Sequence, residues 1–331
     1  MAMRAVVISR PGGPEVLELR DVPTPEPGAG EVLVRVRATA LNRADLLQRE
    51  GRYPPPAGAP ADIPGLEFAG EVARVGAGTS LWREGDRVIG LTAGGAHAEY
   101  VVTHERALAA VPEAMSWLEA AAVPEAFITA HDALVTQAAT RPGDYVVVHA
   151  AGSGVGLAAL QVARALGATP IGTARTAEKL ERANDYGMAA GIALGGGVEE
   201  LAPRVAKLTR GHGADVVLDL LGGPYVAASL ASLALRGRLI LIGTIAGRRA
   251  ELDLGLALSR RATIRGTVLR PRPLEEKILA TRAFAAEVLP LLARGVLRPT
   301  VDSVFPLADV GAAHERMAGN ATFGKVVLDV T

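Results

Sequence analysis

Residues 146–156 read VVVHAAGSGVG, an aliphatic run that passes directly into a turn containing three glycines. A continuous apolar run is typical of a strand buried on both faces of a parallel sheet. Beyond the turn, apolar side chains recur at 159, 162, 163 and 166, the spacing of one helix face. Glycine permits positive φ and close backbone approach, and a helix N-terminus offers free N–H groups to a diphosphate. The turn residues predicted to hold a dinucleotide are Gly152, Ser153, Gly154, Val155 and Gly156.

The segment around this turn is an alternation of strands and helices. Strands are predicted at 145–150, 170–174, 215–220, 238–242 and 263–268, and helices at 156–166, 177–186 and 274–294. Such alternation is typical of an α/β fold with a doubly wound parallel sheet. We therefore expect residues 125–295 to form a Rossmann dinucleotide-binding domain.

The chain before residue 125 has a different texture. Short β-rich runs at 5–9, 32–38, 71–75, 87–90 and 99–102 alternate with Gly/Pro turns, which favours a compact barrel or sandwich. Runs at 301–306 and 325–330 share that texture. The sequence therefore predicts a second, β-rich domain built from residues 1–124 and 296–331.

The end of the predicted strand 170–174 indicates which nucleotide binds. A site that prefers NADH places Asp or Glu there to bind the ribose hydroxyls. Here the strand ends at Ala174, and the cations Arg175 and Lys179 follow. Cations suit a 2′-phosphate and are mildly unfavourable in a first helical turn. We expect NADPH as the cofactor, while an ordinary exposed helix start remains the alternative for either cation.

Composition excludes several classes of protein. The 331 residues include no Cys, which removes disulfides, thiolate–zinc sites and a cysteine nucleophile. Basic and acidic residues balance at 35 each, so no charge favours nucleic acid or an anionic membrane. Neither a signal peptide nor an apolar run of membrane-spanning length is visible. We expect a soluble, cytoplasmic protein without a metal.

Several stretches together resemble a known family. They are LNRADLLQREG at 41–51, IPGLEFAG at 63–70, EGDRV at 84–88, DLLGG at 219–223, LIGTIAG at 241–247 and GKVVL at 324–328, in addition to the glycine turn. The chain resembles the zinc-free quinone oxidoreductases (zeta-crystallin-like, inducible group) of the medium-chain dehydrogenase/reductase family. The resemblance implies that the β-rich domain is GroES-like and that the protein is a homodimer.

Zinc alcohol dehydrogenases of this family bind their metal with a Cys and a Gly-His-Glu triplet. The corresponding places here are near 42–45 and at Gly65-Leu66-Glu67, and Leu66 cannot bind a metal. Without zinc there is no Lewis acid to acidify an alcohol. Reduction of an electrophilic acceptor is therefore favoured over alcohol oxidation.

The resemblance also implies site residues. Asn42 and Tyr53 would contact the nicotinamide and the acceptor, although Asn42 also suits a helix N-cap and Tyr53 could pack on prolines. The further residues implied to contact the cofactor are Thr129, Gly243, Thr244, Leu269 and Lys325. Their alternatives are a helix-surface threonine at 129, a surface arginine beside Leu269 at position 270, and a solvated strand residue at 325.

The resulting hypothesis is an NADPH-dependent quinone oxidoreductase that transfers a hydride without zinc. Reduction of the C=C bond of an α,β-unsaturated carbonyl is the second hypothesis, and a non-catalytic, crystallin-like NADPH-binding protein is the third. In the first two cases the partner is a small quinone or enone, with no nucleic acid and no membrane involved.

Overall fold

A computed structural model of the chain describes residues 2–331. It contains two compact units: one runs up to Ile128 and resumes over Leu269–Thr331, and the other spans Thr129–Val268. The sequence pattern predicts the end of the dinucleotide-binding domain near residue 295, whereas the second unit ends at Val268. Residues from 269 onward join the first unit, where Arg106 pairs with both carboxylate oxygens of Glu275 at 2.8 and 2.9 Å.

The first segment of the first unit is mostly antiparallel sheet. Its strands are β1 (Ala2–Ile8), β2 (Leu17–Pro23), β3 (Glu31–Ala40), β4 (Glu67–Val75), β5 (Arg87–Leu91), β6 (Tyr100–His104) and β7 (Leu108–Ala110), and its helices are α1 (Arg43–Arg49) and α2 (Trp117–Ala121). In the middle of β3, Val34 and Val36 are buried while Arg35 is exposed. This period of two gives the strand one core face and one polar face.

The second unit contains the predicted alternation. Its strands are β8 (Tyr145–Val148), β9 (Thr169–Ala174), β10 (Ala190–Ala193), β11 (Ala214–Asp219), β12 (Leu233–Leu241) and β13 (Thr263–Gly266). Its helices are α3 (Thr129–His131), α4 (Gly154–Ala165), α5 (Ala177–Ala183), α6 (Leu201–Leu208), α7 (Pro224–Ser232) and α8 (Leu254–Arg260).

All strands of the second unit are parallel, in the order β10-β9-β8-β11-β12-β13. Counted from β8, this is the 3-2-1-4-5-6 order of a doubly wound dinucleotide fold, whose ligand crevice lies where the order reverses. That switch point is between β8 and β11. Val146, Val147 and Val148 of β8 are fully buried, as expected for a central parallel strand. The predicted fold class is confirmed.

The last segment belongs to the first unit. It comprises α9 (Leu274–Glu287), α10 (Leu289–Ala293), β14 (Val301–Pro306), α11 (Val310–Ala318) and β15 (Lys325–Asp329). Strand β15 pairs antiparallel with β3, which gives a sheet in the order β14-β15-β3-β4-β5-β7 with β6 also on β3. The single helix predicted at 274–294 is wrong, because Pro290 in the second helix cannot donate a backbone N–H to a continuous ladder.

Candidate active site

The turn after β8 lies at the switch point of the parallel sheet. Ser153 is the N-cap of α4, and its hydroxyl accepts the backbone N–H of Gly156 at 3.0 Å. Such a cap satisfies one of the free donors of the first helical turn and leaves others for a ligand. The left-handed residue of the turn is Ala150, with φ 51°. A non-glycine residue in this region carries strain, and strained residues cluster at ligand sites.

Gly156 is required by packing. A Cβ at this position would lie 2.3 Å from the carbonyl oxygen of Ala150 and 3.0 Å from the Cα of Ala151. Because both neighbours are backbone, neither can move aside cheaply. The first turn of α4 therefore lies directly against the loop that leaves β8. Permitting this close packing is the role of the third glycine in a dinucleotide-binding turn.

Strand β9 ends at Ala174, where the sequence predicts the strand to end. Ala174 is the last residue of the strand, Arg175 is exposed beyond it, and Lys179 is partly buried in the first turn of α5. No carboxylate stands between Ala174 and the start of α5 at Ala177. The backbone here can receive the ribose end of a nucleotide without placing an acid against a 2′-phosphate.

The loops that leave β11 and β12 pack backbone against backbone. A Cβ at Gly243 would lie 2.4 Å from the carbonyl oxygen of Leu220, and Gly222 has φ 67°. One carboxylate oxygen of Asp219 accepts the N–H groups of Leu221 and Gly222 at 2.7 and 2.9 Å. These contacts order the two loops at the carboxyl edge of the sheet, where Gly243 and Thr244 were predicted to meet the cofactor.

His149 joins three elements of the second unit and was not singled out from the sequence. Its Nδ1 is hydrogen-bonded with the hydroxyl of Thr173 at 2.8 Å, and its Nε2 with that of Ser229 at 2.9 Å. Burial lowers the pKa of His149 to about 4, so the ring is neutral at pH 7. The neutral ring ties the end of β8 to β9 and α7. The position of this His between a predicted strand and the glycine turn is the sequence feature that could have identified it.

The buried side-chain atoms of the second unit that have no hydrogen-bond partner within residues 2–331 include the hydroxyl oxygen of Thr129 and the second carboxylate oxygen of Asp219. A buried polar atom without a partner costs about 1–3 kcal/mol, which a ligand can restore. The surface alternative for Thr129 is wrong, since its hydroxyl oxygen is buried. Together with the capped turn, these atoms fit a bound nicotinamide nucleotide.

In the first unit, a buried charge network forms where β3 ends and β4 and β15 begin. The ammonium group of Lys325 donates to Glu67 Oε1 at 2.6 Å, to Asn42 Oδ1 at 2.6 Å and to the carbonyl oxygen of Leu41 at 2.8 Å. Asn42 Nδ2 donates to the same Glu67 oxygen at 2.9 Å. Lys325 is buried, so its interpretation as a solvated strand residue is wrong.

The same network sets the orientation of Asn42. This residue is the N-cap of α1, as the sequence allowed, and Asp45 Oδ2 accepts its backbone N–H at 2.7 Å. The Asn42 side chain points instead to Lys325 and Glu67. An amide held by an ammonium on its oxygen and a carboxylate on its nitrogen cannot flip. The pair of predicted residues Asn42 and Lys325 is therefore brought together in one rigid group.

Tyr53 lies under a guanidinium group. Arg270 places its Cζ 4.9 Å from the centre of the Tyr53 ring and donates to Gln48 Oε1 at 2.5 Å and to the Ala93 carbonyl oxygen at 2.9 Å. Arg270 is buried, which contradicts its assignment as a surface arginine. Burial raises the pKa of Tyr53, with a smaller opposing effect of Arg270, so the phenol is protonated and can donate a hydrogen bond at neutral pH.

A small pocket, about 10 Å³ in volume and partly open to solvent, lies in the same unit. Its walls include Leu91, Glu125, Leu269, Arg270, Lys277 and Ala280. The Glu125 backbone N–H donates to Glu67 Oε2 at 2.7 Å, which joins the pocket to the buried network. Burial and the neighbouring Glu67 carboxylate raise the pKa of Glu125 to about 7.

Each predicted site residue belongs to one of the two units. Asn42, Tyr53, Leu269 and Lys325 belong to the first unit, and Thr129, the turn at 152–156, Ala174, Arg175, Lys179, Gly243 and Thr244 to the second. Glu125 was missed, because its acid–base character comes from neighbours distant in sequence. The sequence pointed to Glu67 only as the last residue of the triplet that corresponds to the metal-binding Gly-His-Glu.

The residues present do not fit zinc. The sequence has no Cys, Leu66 stands in the metal triplet, and Glu67 is already paired with Lys325. Zinc requires three or four N, S or O ligands. No group of three His, Cys, Asp or Glu side chains suited to a metal occurs in the described part of the chain. Likewise, none of the helices between residues 2 and 331 has the length and apolar composition needed to cross a bilayer.

A parallel sheet of this strand order, with a glycine turn at its switch point, is typical of the dinucleotide-binding class of proteins. The family "Alcohol dehydrogenase GroES-like domain" matches residues 28–113, and "Zinc-binding dehydrogenase" matches residues 154–284.

Curated relatives extend these matches over the chain. A quinone oxidoreductase of Pseudomonas aeruginosa is 38% identical over 321 residues, covering 96% of this chain and 96% of the relative. A 2-haloacrylate reductase of a Burkholderia species is 32% identical, covering 98% of each. A mycobacterial protein solved in complex with NADPH superposes with a TM-score of 0.86 at 33% identity, covering 99% of this chain and 100% of that one.

The chain therefore belongs to the medium-chain dehydrogenase/reductase family, among the members that carry the name quinone oxidoreductase. It is an NAD(P)H-dependent oxidoreductase that acts on a small molecule.

Proposed function

We propose that the protein is an NADPH-dependent quinone oxidoreductase that works without a metal. The observation that carries this proposal is the buried network of Lys325, Glu67 and Asn42. By the resemblance, Asn42 and Glu67 stand where zinc-dependent relatives hold their metal, and here the Glu67 carboxylate is neutralised by the Lys325 ammonium group. Since no Lewis acid is available there to acidify an alcohol, reduction of an acceptor that is already electrophilic is favoured.

When bound, the nicotinamide supplies a hydride to one carbonyl-conjugated position of the acceptor. Tyr53 donates a hydrogen bond from its phenol to the acceptor carbonyl oxygen, where negative charge develops. Asn42, locked by Lys325 and Glu67, gives that region a fixed amide dipole. The reduced oxygen then takes its proton from water. The further cofactor contacts assigned to Leu269 and Lys325 stay predictions.

The preference for NADPH follows from the end of β9. Arg175 and Lys179 bind the 2′-phosphate, and Ala174 leaves room for it. The double variant Arg175→Ala/Lys179→Ala raises the KM for NADPH about 10–100-fold and the KM for NADH little, since a charged phosphate contact is worth ~1.5–3 kcal/mol. The exposed Lys207→Ala is the control. Equal changes for both nucleotides would contradict the assignment.

The acceptor class is tested by the loss of NADPH absorbance with a naphthoquinone and, separately, with an alkenal. Turnover of the quinone alone supports the proposal. Turnover of the alkenal alone favours the C=C reductase, the second candidate, which the similarity to the 2-haloacrylate reductase supports. Tight NADPH binding without turnover of either acceptor indicates the non-catalytic binding protein.

A homodimer is also proposed, through the edge of the second unit. Strand β13 is exposed along its whole length, and no strand within residues 2–331 pairs with its outer edge. Leu254 and Leu258 of the neighbouring α8 are 70% and 78% exposed. An exposed strand edge beside exposed apolar side chains presents unpaired N–H and C=O groups, which a second copy of the chain can cover. Ile264→Lys should convert a dimer to a monomer in light scattering, and a wild-type monomer would refute the proposal.

A further inference from the structure

The loop that carries Tyr53 is built without regular secondary structure. It spans residues 50–66, between α1 and β4, and contains neither a helix nor a strand. Its prolines, at 54, 55, 56, 60 and 64, have no backbone N–H to donate. The backbone N–H of Tyr53 donates to the carbonyl oxygen of Leu47 at 3.2 Å, which holds the start of the loop to α1. The orientation of the Tyr53 ring is therefore left to side-chain contacts.

Arg270 contacts Tyr53 both at its ring and at its backbone. The guanidinium Cζ lies 4.9 Å from the centre of the ring, a distance at which a cation is attracted to the face of an aromatic ring. Nη1 of the same group donates to the carbonyl oxygen of Tyr53 at 3.4 Å. Arg270 is only 6% exposed, and a desolvated cation is attracted to an aromatic face more strongly than an exposed one. One side chain thus holds the ring and the backbone that carries it.

The guanidinium group of Arg270 is itself anchored at two further places. Its Nη2 donates to Gln48 Oε1 at 2.5 Å, and its Nε donates to the carbonyl oxygen of Ala93, in the loop after β5, at 2.9 Å. Gln48 is buried on α1, and its amide nitrogen donates to the carbonyl oxygen of Ala61 at 3.4 Å. Since a guanidinium only donates, the oxygen of the Gln48 amide has to face Arg270. A planar fork is suited to several acceptors at once, and here it joins α1 to the loop that carries Tyr53.

We propose that Arg270 is the positioning residue for Tyr53, with Gln48 as its anchor, and that it holds the phenol in the orientation from which Tyr53 donates to the acceptor carbonyl oxygen. This inference rests on the proposed function, since it assigns how the hydrogen-bond donor of that reaction is held in place. A hydrogen bond weakens steeply when its angle at the hydrogen falls below ~120°. A Tyr53 ring that is free to turn would therefore lose the contact for much of the time.

The first measurement reports on the ring without catalysis. The protein is labelled with 3-fluorotyrosine, and the spectrum of Tyr53→Phe identifies which of the five tyrosine ¹⁹F resonances belongs to Tyr53. In Arg270→Met this resonance shifts towards the position of free fluorotyrosine and narrows, while the other tyrosine resonances stay in place and report an intact fold. The exposed Arg83→Met is the control and leaves every resonance unchanged. An unmoved Tyr53 resonance in Arg270→Met overturns the inference.

A second pair of variants leaves the buried cation in place. Gln48→Met removes the acceptor that anchors Arg270, so the Tyr53 resonance should move in the same direction as in Arg270→Met, but by less. Gln48→Glu keeps an acceptor oxygen for the guanidinium and should retain the wild-type resonance. Equal shifts in both Gln48 variants would overturn the assignment of Gln48 as the anchor.

Steady-state kinetics with NADPH and a naphthoquinone test whether Arg270 acts through Tyr53. Tyr53→Phe should lower kcat about 10–100-fold, the effect of losing a hydrogen bond to a charged group, and leave the KM for NADPH unchanged. Arg270→Met should lower kcat by no more than that, and the double variant should be no slower than Tyr53→Phe alone. Losses that multiply in the double variant would indicate a merely structural arginine and overturn the inference.

Failure of the proposed function gives a different result. A wild type that turns over no acceptor, or a Tyr53→Phe variant as fast as the wild type, refutes the role of Tyr53 in the proposed reaction. The ¹⁹F spectra need no turnover, so they decide separately whether Arg270 holds the ring.

Discussion

Replacing Glu125 by Gln should stabilise the protein at neutral pH and leave it unchanged in acid. The pKa of the Glu125 carboxyl is raised from 4.5 to about 7 in the folded chain, first by burial and then by Glu67. Ionising the side chain is therefore harder in the folded state than in the unfolded state. Gln has the same shape as the protonated acid and cannot ionise.

The sign and size follow from proton linkage. Below pH 4.5 both states carry the proton, so the carboxyl contributes no pH dependence. Between pH 4.5 and 7 the folded state binds more protons than the unfolded state, and stability falls as the pH rises. Because a tenfold change in proton affinity is ~1.4 kcal/mol, the wild type loses up to about 3 kcal/mol by pH 8. The partly open pocket makes this an upper value.

The measurement is urea denaturation of wild type and Glu125→Gln at pH 4.5, 6, 7 and 8, with the difference in free energy of unfolding plotted against pH. The difference should rise from pH 4.5 and level off above 7. The exposed Glu113→Gln, in the same unit, should give a flat line. Parallel pH curves for wild type and Glu125→Gln would refute the argument that this carboxyl is held neutral by its surroundings.

Three other substitutions test the remaining contacts. Lys325→Met leaves the buried Glu67 unpaired and should cost about 3–5 kcal/mol in urea denaturation, most of it recovered in the Lys325→Met/Glu67→Gln double variant; additive losses would contradict the pairing. Gly156→Ala forces a methyl group against Ala150 and should weaken NADPH binding at least tenfold in a fluorescence titration; wild-type affinity would contradict the close packing of the turn. Ala174→Asp should shift the ratio of kcat/KM values towards NADH by repelling the 2′-phosphate; an unchanged ratio would argue against that location of the phosphate.

Where the fold depends on neighbours in sequence, residue patterns were sufficient. The strand–turn–helix at 146–156 could be predicted because an apolar run, three glycines and a helical spacing act within a few residues. The break between α9 and α10 was missed although Pro290 is a local signal, because the apolar periodicity on both sides outweighed it. Strands β2, β7 and β10 were also missed. Strands β7 and β10 have only three and four residues, which carry little periodic pattern.

The candidate site shows the limit of such prediction more clearly. Asn42 and Lys325 were each chosen by resemblance, yet nothing in either stretch indicated that they share Glu67. Their meeting depends on β15 pairing with β3, and β3 with β4, so that one strand end and two strand beginnings lie at the same edge. Glu125 has no distinguishing motif at all.

The sequence alone determined that this chain folds a dinucleotide unit, that its β9 ends without an acid, and that it lacks the cysteines of a zinc site, because each of these is a property of residue type and short-range order. Tertiary structure alone decided which buried carboxylate is paired, which carboxyl has its pKa raised to about 7, and which cations share a pocket. The physical reason is that charge pairing and desolvation depend on distance in space, which only the assembled sheet defines.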